Sequence, residues 1–82
     1  MFSYISFYNN TSYPYISVYE DSEMLVEELT KNKKSKFCIK DAGSVSVTVR
    51  DNKNISFLEL YISLYPNEFY ILEITDTSAK FI

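Results

Sequence analysis

The strongest constraint on this chain is a period of two. Between Ser44 and Arg50, Val45, Val47 and Val49 alternate with Ser44, Ser46, Thr48 and Arg50. This is the repeat of a strand with one dry face and one wet face. Between Ile55 and Tyr65 the alternation continues. Leu58, Leu60, Ile62 and Leu64 fall on one side, and Phe57, Glu59, Tyr61, Ser63 and Tyr65 on the other. Asp51–Asn54 reads as the turn between these strands, Pro66–Glu68 ends the second, and Phe69–Thr75 reads as a third. A four-residue loop that pairs Arg50 with Ile55, followed by a three-residue loop that pairs Tyr65 with Phe69, aligns every aliphatic residue of this meander. Val45, Val47, Val49, Leu58, Leu60, Ile62, Leu64, Leu72 and Ile74 then share one face, and a one-residue slip would scatter them. Ser78–Ile82 offers a further edge strand.

The N-terminal part repeats the theme with aromatic residues. Phe2–Tyr8 and Tyr13–Tyr19 flank Asn9-Asn10-Thr11-Ser12 and read as a β-hairpin with a four-residue loop. Pairing Tyr8 with Tyr13 sets Ile5, Phe7, Ile16 and Val18 on one face. Phe2, Tyr4, Tyr8, Tyr13, Tyr15 and Tyr19 fall on the other. Asp21 or Ser22 suits a helix N-cap, and Glu23–Asn32 follows with an apolar stripe of Leu25, Val26 and Leu29. Its acidic residues come early and its lysines late, as a helix dipole favours. Phe37–Ile39 reads as a short strand, and Asp41-Ala42-Gly43 as a turn. The expected fold is therefore a single α+β domain over residues 1–82. Its order is ββαββββ, with an antiparallel sheet and one helix packed on one face.

Several kinds of chemistry are excluded or disfavoured by residue type. The 82 residues include no histidine, so histidine triads and histidine metal sites are impossible. A single glycine rules out a glycine-rich phosphate loop. The one cysteine, Cys38, lies in an apolar run with no histidine to activate it. It reads as a buried thiol in a reducing compartment, so a cytoplasmic location is expected. Glu20, Asp21, Glu23, Glu27 and Glu28 read as a solvated face rather than a metal site, and no cofactor or metal is implied. Lys31, Lys33, Lys34 and Lys36 are clustered, but a net charge of −3 disfavours a surface that tracks phosphates. Met1–Tyr8 has no basic n-region and is broken by Ser3 and Ser6, so it does not read as a signal peptide, and no apolar run is long enough to span a bilayer.

What remains is a face rich in tyrosine. Hairpin and meander together are expected to place Tyr4, Tyr8, Tyr13, Tyr15, Tyr19, Phe57, Glu59, Tyr61, Tyr65 and Glu73 on one open surface. Glu59 and Glu73 would serve as polar anchors within it. Tyrosine supplies contact area at low entropic cost, with a hydroxyl for hydrogen bonding. The expected function is a non-catalytic protein-binding module that engages a larger protein partner. A homo-oligomeric structural protein using the same face, such as a homodimer, is the alternative, and a single-stranded nucleic-acid binder is a weaker one. Size, acidity and a composition rich in AT-encoded residues suggest a small inhibitor or immunity-type accessory protein. By analogy these are of the phage or mobile-element kind, such as an anti-defence or anti-CRISPR inhibitor.

Overall fold

The computed structural model describes residues Met1–Ile82 and contains eight strands and no helix. The strands are β1 (Phe2–Asn9), β2 (Tyr15–Glu20), β3 (Glu23–Thr30), β4 (Cys38–Asp41), β5 (Gly43–Arg50), β6 (Ser56–Leu64), β7 (Phe69–Ile74) and β8 (Ala79–Phe81). They form two four-stranded sheets. Sheet I has the order β4-β1-β7-β8 and sheet II the order β3-β2-β5-β6. One dry layer lies between them. Ile5, Phe7, Leu72 and Ile74 enter it from sheet I. Ile16, Val18, Leu29, Val45, Val47, Val49, Ile62 and Leu64 enter it from sheet II. The protein is a β-sandwich, so the expected α+β class is corrected to all-β.

The segment expected to be helical, Glu23–Asn32, is largely β3, and the reason lies in its register with β2. Ile16 pairs with Leu29, Val18 with Val26 and Tyr19 with Met24. Between each successive pair β3 carries one more residue than β2 does. Two bulges result, and Glu28, at φ 48°, lies in the one between Val26 and Leu29. A bulge lets two residues three apart face the same side. Val26 and Leu29 therefore reach the core from a strand while keeping the spacing of a helical stripe.

The expected N-terminal hairpin is also absent. β1 and β2 belong to different sheets, so their aliphatic rows meet face to face across the core rather than side by side. The crossing is held by a buried polar knot. The Asn9 side-chain amide donates to the Leu29 carbonyl at 2.9 Å. Its Oδ1 accepts from the backbone N–H of Thr11 at 3.0 Å and from the Thr11 hydroxyl at 2.6 Å. β1 instead pairs antiparallel with β4 and parallel with β7, Phe7 lying opposite Leu72.

The inward parity of the meander stands, but two of its registers do not. Val45 pairs with Ile62, Val47 with Leu60 and Val49 with Leu58, two residues beyond the expected alignment. The longer loop is organised by Asp51, whose Oδ1 accepts from the backbone of Lys53 and Ile55, with Asn54 at φ 62°. A bulge beside Arg50 absorbs the remainder. The expected pairing of Tyr65 with Phe69 does not occur, because the chain leaves sheet II after β6 and enters sheet I at β7. The passage from β4 to β5 is shorter still, with Ala42 alone between them. Gly43 there has φ 129°, a value that residues with a side chain rarely adopt. The tail forms β8 as an edge strand. Lys40 of β4 ties sheet I to the β2–β3 turn of sheet II through ion pairs with Glu20 and with Glu23, the latter at 3.1 Å.

Candidate aromatic interface

The sandwich divides the expected aromatic surface between two outer faces that point in opposite directions. On sheet I, outward residues of neighbouring strands form a row, Ile39 lying opposite Tyr4 and Tyr4 opposite Phe69. The Tyr4 and Phe69 rings stack with centroids 4.5 Å apart and planes 13° apart. Phe37 meets Phe69 edge-on at 5.3 Å. Phe2 continues the patch along β1. Its apolar side chains remain open to solvent, with Ile39 at 63%, Phe69 at 66%, Phe2 at 56% and Phe37 at 46% exposure. Farther along, Tyr8 lies opposite Glu73, whose carboxylate also accepts from the Asn10 amide at 3.4 Å.

Sheet II presents hydroxyls instead. Ser44 lies opposite Ser63, Ser46 opposite Tyr61 and Thr48 opposite Glu59. The Arg50 guanidinium sits 4.6 Å above the Tyr19 ring, and the Tyr15 hydroxyl donates to the Asn52 carbonyl at 3.2 Å. Tyr61 is 84% exposed, without a ring partner.

Of the ten residues expected on one face, Tyr4, Tyr8 and Glu73 lie on sheet I, and Tyr15, Tyr19, Glu59 and Tyr61 on sheet II. Glu59 and Glu73 are therefore separated by the core and cannot act together. Tyr13 and Phe57 pack on each other at 4.7 Å against the core margin. The bulge near Arg50 explains why Phe57 leaves the outward series. Tyr65 is exposed just after β6, and its backbone N–H donates to the Tyr70 hydroxyl at 2.8 Å. Sequence reasoning places Phe2 and Phe69 on an open face but misses Phe37 and Ile39. Their alignment depends on β4 joining β1, a pairing of distant segments that no local pattern announces.

A concavity of about 380 Å³ runs between β3 and residues 35–38. Leu25, Val26, Leu29 and Phe37 supply its apolar lining, and Cys38 opens into it. The Cys38 thiol donates to the Leu25 carbonyl at 3.7 Å, and burial pushes its pKa up. A thiol so disposed favours the protonated form, the reverse of an activated nucleophile. Lys31, Lys33, Lys34 and Lys36 are exposed along the segment after β3. That segment attaches to β1 through backbone bonds from Asn9 to Lys33 and from Ser35 to Phe7. No helix exists that could cross a membrane. No three histidine, cysteine or acidic side chains gather as metal ligands. Comparison with protein families, curated proteins and solved structures yields no match.

Proposed function

We propose that this protein is a non-catalytic binding module that engages a larger protein through the outer face of sheet I. The reading rests on one observation, the open row Ile39–Tyr4–Phe69 with Phe2 and Phe37 beside it. Contiguous exposed apolar surface marks interaction sites far more often than scattered apolar residues do. The stacking of Tyr4 on Phe69 orders two rings before any partner arrives, which lowers the entropic cost of association. The rest of the reading is an inhibitor or immunity-type accessory role, supported by size, acidity and a composition rich in AT-encoded residues, and a cytoplasmic location, supported by a lone cysteine that cannot form an internal disulfide.

The test is affinity capture from host extract with two double variants. Ile39→Ser with Phe69→Ser is expected to lower capture by about a hundredfold, as the loss of two central apolar anchors would. Tyr19→Ser with Tyr61→Ser on sheet II is expected to leave capture unchanged. Circular dichroism melts confirm that both remain folded. Capture that survives the first pair and fails with the second would refute the assignment.

A further inference from the structure

Four strands terminate the two sheets, and they are unequally guarded. An open edge offers backbone N–H and C=O groups to any extended chain. Folded proteins blunt such edges with short length, lysine, proline or bulges. β4 has four residues and β8 three, and each carries a lysine, Lys40 and Lys80. β3 is bulged twice and bears Glu23, Glu27 and Glu28. β6 has no such guard. At nine residues it is the longest strand, and it stays in register with β5 from Leu58 to Leu64. Within that stretch Glu59 is the only charge, and there is no proline or lysine. Its core-facing side chains are unevenly covered too. Ile62 and Leu64 are buried, whereas Leu58 and Leu60 are only half-buried.

We propose that β6 is a self-association edge, pairing antiparallel with β6 of a second copy about a twofold axis through Tyr61. The two copies of sheet II would become one continuous sheet of twice the width. Tyr61 is the midpoint of the unbulged stretch Leu58–Leu64, so this register uses all of it. On the core side Leu58 of each copy faces Leu64 of the other, and Leu60 faces Ile62. On the outer side Glu59 faces Ser63, whereas a centre at Glu59 would oppose two carboxylates, which is destabilising.

The register favours a second copy over an unrelated strand. About Tyr61 each copy supplies the strand that its partner lacks, so the matched pairs Leu58 with Leu64, Leu60 with Ile62 and Glu59 with Ser63 each form twice by symmetry. The outer faces of sheet I stay free, so the dimer would display two aromatic patches.

Sedimentation velocity from about 1 to 100 μM, the range that brackets a micromolar Kd, tests the proposal. The wild-type chain is expected to pass from monomer to dimer. Tyr61→Lys alters a side chain that makes no packing contribution to the fold and sets two ammonium groups opposite each other. It is expected to raise the midpoint by about tenfold or more. Ser63→Glu, which sets a carboxylate opposite Glu59 of the other copy, is expected to weaken dimerisation by about threefold, and Ser63→Lys to strengthen it. With Cys38→Ser as background, Tyr61→Cys is expected to form a disulfide-linked dimer under mild oxidation. A wild-type chain that stays monomeric overturns the proposal. So does a dimer indifferent to Tyr61→Lys but lost with Phe69→Ser, which would place self-association on sheet I instead.

Discussion

The two outer faces come from the same alternating patterns, yet they solve the problem of an uncovered sheet differently. Sheet II spends its outward positions on Ser44, Ser46, Thr48, Ser17 and Ser63, with isolated tyrosines among them. Its one close aromatic contact is to the charged Arg50. Such a face is satisfied by water. Sheet I spends the equivalent positions on Phe2, Tyr4, Ile39 and Phe69, and its rings meet one another. Self-packing orders these rings but leaves most of their area wet. Strand alternation thus decides which residues point outward, and only their identity decides whether the outward side is finished.

The contrast depends first on which side is outward, and adjacent positions of β5 break or confirm that. Val47→Asp buries an unpaired carboxylate at a position 1% exposed and is expected to cost several kcal/mol, enough to unfold a domain of this size. Ser46→Asp, one residue earlier on the outer face, is expected to stay within about 0.5 kcal/mol. Urea titration of both settles the parity. The union of the two sheets is tested next. Lys40→Met removes the link to Glu20 and Glu23 and is expected to cost about 1–2 kcal/mol, between the values for exposed and buried pairs.

The pH dependence of that link has a definite sign. The hydrogen bond from Lys40 to the Glu20 carboxylate is the largest influence on the amine, whose pKa lies above its ordinary 10.5 in the folded protein. Its contribution is therefore complete below pH 10.5 and is lost as pH rises through the folded value. Melting curves from pH 9 to 12 should fall more steeply for the wild-type chain than for Lys40→Met. A smaller effect sharpens the difference between the faces. A double-mutant cycle on Tyr4→Ala and Phe69→Ala should give a coupling of about 0.5–1.5 kcal/mol. Tyr61→Ala, which removes a ring without a partner, should change protomer stability by less than about 0.5 kcal/mol, measured below the concentration of any self-association.

How much of this was legible can be followed residue by residue. Val45, Val47, Val49, Ile62, Leu64, Leu72 and Ile74 all turn inward as their alternation requires, because parity is a local property of a strand. Register was less legible. The side chain of Asp51 and the bulge beside Arg50 lengthen a connection that counting makes four residues, and the pairing moves by two. β3 imitates a helix for a specific physical reason, since two bulges convert a strand's period into the spacing of a helical stripe. The candidate site suffered most. Tyr4 and Phe69 are 65 residues apart in the chain and become stacked neighbours only because β1 accepts β7 as a parallel partner. The sequence signals that both segments are strands, but no local pattern says which strands will be neighbours.

That parallel pair bears on how the protein is made. β1 leaves the ribosome before the other seven strands, yet one of its two neighbours in sheet I is the seventh of the eight. Until Phe69–Ile74 emerges, one flank of β1 has no backbone partner, and Leu72 and Ile74 are missing from the layer around Phe7. Closing a loop of nearly the whole chain is entropically costly and slow compared with forming local hairpins. The nascent N-terminal strand must therefore wait with one flank open, and truncation anywhere before β7 should leave an aggregating fragment rather than a smaller folded one.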